Sequence, residues 1–396
     1  MTDTLNYKAF DADNHYYEAH DAFTRHMPAD MRARCVQWVT IDGRQHHLVA
    51  GKLARAVKNP TWNPISLPGS IAPYLHGKEL TAEDIAVMKT HEPLPDYYLN
   101  SSARVAKLQE QGLEAAWLFP TLGVLYEELL KHDTEAVTTQ FTAFNRWLDE
   151  DWGCNFQDQI FAAPYISLCD VDWACSELEW ALQREARVVC MRPSAITLAD
   201  GTTRSPADPV FDPFWARLNE AGITMVVHAS DSGYTTHGYV KDGFSADFNA
   251  GVFSPNIKHF NIERAAYDFL ITLCYEKLFE RFPNLRIASI ENGAEYLPDL
   301  FRKLRQSRDR MRQYYREDPA ELFRRHVWIN PFWEDDVNEV AHFMGADRVI
   351  FGSDWPHIEG LPTPLDYVGE LAAFSDREKQ LILRDNARAL NTPQPN

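Results

Sequence analysis

Short runs of apolar and β-branched residues recur along the chain, each bounded by polar turn residues and mostly separated from the next by a helical pattern. Eight such runs predict strands: YKAFDAD (7–13), EAAWLFP (114–120), IFAAPYISL (160–168), RVVCMRP (187–193), ITMVVHA (223–229), LRIASIE (285–291), HVWIN (326–330) and RVIFGSD (348–354). The intervening helical patterns include SSARVAKLQEQG (101–112), with a serine start and a glycine stop, and DPVFDPFWARLNEAG (208–222), with Gly222 as its C-terminal cap. The stretches 134–152, 172–185, 264–284, 294–315, 335–346 and 377–390 read the same way.

Strand and helix alternating eight times predict an α/β protein with a closed parallel (β/α)8 TIM barrel spanning residues 1–396 as a single domain. A doubly wound sheet would require a glycine-rich phosphate turn after strand one, and strand one instead runs into DADNHYYE. Residues 30–100 interrupt the alternation. They are rich in proline and weak in periodicity, and read as an insertion after strand 1 that forms a lid or a partner-contact arm over the barrel mouth.

Composition narrows the function. The 396-residue chain carries a net charge of −18 and is 45% hydrophobic, which fits a folded globular protein and argues against a nucleic-acid partner. No basic and apolar leader opens it, and no apolar run approaches the ~20 residues of a membrane span, so a cytoplasmic enzyme without a membrane partner is expected. The six cysteines show no CxxC pair, consistent with free thiols in a reducing compartment. One stretch departs from the acidic balance: Arg32, Arg34, Arg44, Lys52, Arg55 and Lys58 stand against Asp42 alone between residues 31 and 60. It reads as a solvated loop or as a local anion site.

The chemistry lies at the strand ends. Asp13 and His15 are two apart on strand one and so face the same side. His228 ends strand five, Glu291 ends strand six, and Asp354 ends strand eight, with His357 three residues on. Barrels place catalytic groups at these C-terminal ends. A lone histidine there is usually a satisfied core residue. Carboxylates and histidines closing four separate strands instead indicate a bound metal, because buried carboxylates are costly unless paired or coordinated. Arg192 closes strand four, where it could hold a substrate carboxylate or form a structural ion pair. Tyr17, Tyr234 and His259 are candidate substrate-binding residues.

With Asp13 and His15, His228, and Asp354 within GSDWPH, the chain resembles the amidohydrolase-related superfamily, in the branch typified by aminocarboxymuconate-semialdehyde decarboxylase. That branch usually carries HxH on strand one and a histidine on strand six. Here Asp13 replaces the first histidine and Glu291 stands where the second would be. The resemblance implies a pocket containing Asp13, His15, His228, Glu291, Asp354 and His357, with Glu18, Glu334 and Asp335 as further candidate ligands.

Such a carboxylate-rich set is similar to a dinuclear iron centre. DNHYYE, ENG, NPFWEDD and GSDWPH together resemble the barrel-fold non-heme di-iron monooxygenases, a group that includes a diterpenoid hydroxylase of platensimycin and platencin biosynthesis. That resemblance implies two iron ions, dioxygen, an external electron donor and an apolar, coenzyme A-linked or terpenoid-like substrate to be hydroxylated. The alternative is a mononuclear zinc or manganese hydrolase or decarboxylase of a small carboxylic acid, in which Glu291 or His357 carries the proton. A homodimer is expected from the resemblance alone.

Overall fold

The protein is described from a computed structural model covering residues 5–54, 57, 59–234 and 261–395. Seven parallel strands make up most of the barrel wall: β1 (Ala9–His15), β2 (Leu113–Phe119), β3 (Ile160–Ala162), β4 (Val188–Met191), β5 (Thr224–His228), β6 (Arg286–Ile290) and β7 (Val327–Ile329). Each of the seven lies within or beside its predicted run. They pair in two groups, β1-β2-β3 and β4-β5-β6-β7, which single bridges join, Tyr165 to Cys190 on one side and Ile329 to Val349 and Asn14 to Trp355 on the other. The ring therefore closes, as the eightfold alternation requires.

Two strands differ from expectation. β3 stops at Ala162 rather than running to 168, because Pro164 lacks the N–H a continued ladder would need. The chain then binds β4 through Cys190, whose N–H donates to Pro164 O at 2.9 Å and whose carbonyl accepts from Ile166 N–H at 2.9 Å. The eighth predicted strand is not regular. Residues 349–355 nonetheless bridge both neighbours: Ile350 N–H donates to Ile329 O, and His15 N–H to Trp355 O at 2.8 Å. Asp354 has φ +54°, outside the extended region, so a straight strand cannot continue through it.

Helices pack outside this ring and bury it. Asn100 caps Ser101–Glu110, accepting from Ala103 N–H at 3.0 Å, so this helix is capped by the residue before the predicted serine start. Gly222 caps Asp212–Ala221 in the left-handed region, as predicted, with φ +61°. Every residue of β1 is buried, its acids and histidine included.

The insertion is more ordered than its composition predicts. Val36–Ile41, Arg44–Val49 and Lys52–Leu53 form an antiparallel sheet, and Ile65–Ser66 pairs with His91–Glu92. Cross-strand pairing holds these polar strands where sequence periodicity is weak. Gly69 N–H donates to His357 O at 2.9 Å and Ile71 N–H to Ile358 O at 3.1 Å, which ties the insertion to the segment after Asp354. Of its basic residues, Arg34 bonds Asp133 and Glu135, while Arg32, Arg44 and Lys52 are exposed. Arg55 and Lys58 lie outside the described residues.

Candidate functional site

Strand register brings the predicted residues together. In the β5–β6 ladder His228 faces Ile290, which places Glu291 one residue past the end of β6 and beside His228. The β1–β2 register shifts between Asp11 and Asn14, an irregularity of the kind that re-aims side chains at a barrel rim. Gly352 lets the closing segment approach β1: a Cβ there would lie 2.3 Å from that of Asp13. Asp11 locks the approach, accepting from Ser353 N–H at 2.9 Å and from Ser353 Oγ at 2.6 Å. Burial pushes the Asp11 carboxyl up to about 6, against the bonds from Ser353 and Asn14.

Two overlapping groups of potential ligands result. Asp13, His15, His228 and Glu291 form the first, and His15, Glu291, Asp354 and His357 the second, the ligand atoms within each lying no more than 4.8 Å apart. His15 Nε2 is 3.3 Å from Asp13 Oδ1, 3.5 Å from Glu291 Oε2 and 3.4 Å from Asp354 Oδ1. His228 Nε2 is 3.4 Å from Glu291 Oε2 and 3.7 Å from Asp13 Oδ1. His15 and His228 are each 1% exposed and Asp13 is 2% exposed, yet Asp13 Oδ1, His15 Nε2 and His228 Nε2 form no hydrogen bond with any described residue. On the other side of its ring, His228 Nδ1 bonds Ala229 O at 2.8 Å, which puts the ring hydrogen there and leaves a lone pair on Nε2 facing the carboxylates. Burial works against a charge on His15, but contact with Asp13 and Glu291 overrides it and raises its pKa to about 10.

Both Glu291 and Asp354 have positive φ, +56° and +54°, in a region that non-glycine residues seldom occupy. Asn330, at the end of β7, holds the first by accepting from Glu291 N–H at 3.3 Å. Asp354 Oδ1 lies 2.6 Å from His357 Nδ1, and His357 Nε2 lies 3.0 Å from Thr121 Oγ1. The Thr121 hydroxyl gives its hydrogen to Tyr16 O at 2.8 Å, so it offers His357 only a lone pair and Nε2 keeps a hydrogen. Burial and then the charge of Glu291 raise Asp354, while burial and then His15 and His228 lower His357.

Above these groups opens a cavity of about 350 Å³. His15, His228, Glu291 and His357 reach it from the barrel, and Trp62, Ile65 and His91 line it from the insertion. Tyr17 lines it, buried, with its hydroxyl donating to Pro356 O at 3.1 Å and its ring 4.7 Å from that of Trp62.

Four expectations change. Glu18 is not in either group: its Oε1 accepts from Leu122 and Gly123 N–H at 2.6 and 3.0 Å, at the start of the helix Gly123–Leu130. Glu334 also lies elsewhere, in an acidic neighbourhood with Glu263, Glu295 and Asp335, where burial raises the carboxyls of Glu263, Glu334 and Asp335, the last to about 7. Arg192 does not line the cavity; it is 3% exposed and spent on Glu128 (2.6 Å), Glu127 (3.3 Å) and Asp231 O (2.9 Å). Tyr234 bonds Asp268 and is not among the cavity-lining residues. His259 lies outside the described residues.

Sequence reading missed Thr121, Asn330 and Glu359. The first two follow or end barrel strands, the signal already applied to Glu291, but a hydroxyl and an amide there lack the charge that drew attention. Glu359 follows an irregular segment and has no periodic signal. It lines the cavity, and burial, then Glu291, raise its carboxyl to about 7.

Comparison with known proteins bears on this geometry. The family profile described as amidohydrolase matches residues 140–390. An amidohydrolase from Mycobacterium avium subsp. paratuberculosis K-10 is 38% identical, with a TM-score of 0.91 over 98% of this chain and 100% of its own. Two more distant structures share the fold. One is 5-carboxyvanillate decarboxylase from Sphingomonas paucimobilis, 14% identical, TM-score 0.59, covering 98% of this chain and 99% of its own. The other is dihydroxybenzoic acid decarboxylase from Polaromonas with bound manganese, 14% identical, TM-score 0.54, covering 81% and 93%. No curated protein gives a significant match. These relatives overturn the di-iron monooxygenase expectation, and dioxygen, the electron donor and the coenzyme A handle leave with it. Glu18 and Glu334, which swelled the carboxylate inventory toward a two-iron centre, stand outside both ligand groups. The two described ligand groups and the profile match over residues 140–390 thus belong with the near-complete alignment at 38% identity: this chain is a member of the amidohydrolase family.

Proposed function

We propose that the chain is a metal-dependent decarboxylase of a small carboxylic acid, with one divalent cation, manganese or zinc, held by Asp13, His15, His228 and Glu291. The observation that carries this reading is the convergence of Asp13 Oδ1, His15 Nε2 and His228 Nε2, all buried and without a hydrogen bond to any described residue, beneath the cavity. Burying such polar atoms against one another is costly, and a cation between them offsets the cost. Nitrogen and oxygen ligands without a thiolate suit manganese or zinc. Such an ion, when bound, acts as a Lewis acid toward a substrate oxygen.

The chain's own groups supply the rest. Trp62, Ile65, Val124 and Ile358 line the cavity and exclude water. An apolar wall penalises a charged carboxylate more than the neutral carbon dioxide that leaves it, which favours cleavage. The bond from carbon to carboxylate breaks, its electron pair remains on carbon, and the proton that carbon then takes comes from the Asp354–His357 pair. Because Thr121 keeps a hydrogen on His357 Nε2, Nδ1 is the nitrogen that exchanges a proton with Asp354. Residues 30–100 serve as the cover of the site, since Trp62, Ile65 and His91 come from them.

The decarboxylases that share the fold, one with manganese, support this reading. Hydrolysis is the second reading, favoured by the 38% identical relative described as an amidohydrolase; there the same pair would take a proton from an attacking water. The test is elemental analysis of the protein, followed by a screen of aromatic acids for carbon dioxide release and of amides and esters for hydrolysis. One mole of carbon dioxide per mole of acid consumed supports decarboxylation. Amide or ester turnover without it replaces that reading with hydrolysis, and a protein that retains no divalent metal ends both.

A further inference from the structure

We propose that Glu359 recognises a hydrogen-bond donor, a hydroxyl or an amine, that the substrate carries near its reacting carboxylate. This deepens the decarboxylase reading and rests on it. Glu359 shares the cavity wall with Tyr17, Trp62, Ile65 and Ile358. Its backbone is fixed, the carbonyl accepting from the Trp333 indole N–H at 2.9 Å. It belongs to neither ligand group. Apart from its own backbone amide, no described residue donates to its carboxylate, and no lysine or arginine is among the described cavity-lining residues. A carboxyl set in an apolar wall is costly until a donor meets it. In this cavity the occupant is what can bring one. Glu291 lines the same cavity, so a second acid on the substrate would be repelled there and a donor attracted.

The experiment is calorimetric binding to the manganese-loaded full chain, with paired acids differing only in the donor: ortho-hydroxybenzoate against ortho-methylbenzoate, and meta-aminomethylbenzoate against meta-ethylbenzoate. In at least one pair the donor-bearing acid should bind at least about tenfold more tightly, because a site built to bond a donor rejects the analogue lacking it. Glu359→Leu should erase that preference while manganese content stays unchanged. Glu359→Gln, which preserves shape, should keep part of a hydroxyl preference and lose any ammonium preference. Equal affinities within both pairs for the wild type, or a preference that survives Glu359→Leu, would overturn the proposal. So would loss of manganese in both variants, which would make Glu359 part of the metal centre. If the manganese-loaded wild type binds none of the four acids, the carboxylic-acid reading itself falls, and this inference with it.

Discussion

His228 Nε2 and Asp13 Oδ1 face each other across 3.7 Å, from β5 and β1, and neither atom makes a hydrogen bond with a described residue. A cation between two acceptors so placed would relieve their repulsion. Asp13→Asn, His228→Ala and Glu291→Ala should each cut bound manganese or zinc from near one ion per chain to a small fraction of it, together with turnover. Elemental analysis after gel filtration decides this, and full metal retention in Glu291→Ala would remove that residue from the ligand set.

Gly352 is required by the closeness of the chain to Asp13. A methyl at that position would meet Asp13 Cβ at 2.3 Å and Asn330 Nδ2 at 2.9 Å, so the closing segment must move away from β1. Gly352→Ala should cost roughly 1–3 kcal/mol in urea unfolding, the usual range for overpacking. It should also weaken metal binding, because Asp13 and Asp354 N–H, which donates to Asp13 O at 2.8 Å, move with the segment.

Glu18 caps a helix, and its metal independence is testable. Burial raises its carboxyl to about 7, against the two backbone bonds it accepts. A folded value above the ordinary 4.5 means that the native state favours the protonated form. The stabilisation is therefore complete below about 4.5 and is lost as pH rises through 7. Glu18→Gln keeps an acceptor for Leu122 and Gly123 without the charge, so it should be more stable than wild type above neutrality. Glu18→Ala should cost about 1 kcal/mol, as loss of a cap does. Both variants should hold the full complement of metal.

His47 gives the opposite pH dependence. It is 2% exposed, with Nδ1 2.6 Å from Tyr126 Oη, and burial, then the charge of His20, lowers it from 6.5 to about 3. Its contribution is present above 6.5 and is lost as pH falls toward 3, because the unfolded chain takes up a proton that the folded chain refuses. The loss should approach roughly 1.4 kcal/mol per pH unit across that window. His47→Gln should flatten the slope of unfolding free energy against pH by about that amount.

Much of this protein follows from sequence alone. Strand length, helical period and glycine punctuation act locally, so the alternation that closes as a barrel is readable without any long-range contact. The candidate ligand positions are readable for the same reason. His228 and Glu291 end strands, and a barrel directs every strand end to one mouth. Asp13 and His15 lie two apart on β1, which is a local constraint as well.

Only the tertiary structure decided which charged groups meet. Glu18 and Glu291 are both acids near strand ends, yet one accepts from the amides of Leu122 and Gly123 while the other faces His15 and His228. Arg192 ends β4 as the ligands end their strands, but Glu127 and Glu128, more than sixty positions earlier, engage it first. Glu359 enters the cavity because Trp333 and the 69–71 backbone hold the irregular segment after Asp354. The energy of a buried charge is set by neighbours distant in the chain, and no local pattern of residues encodes who those neighbours will be.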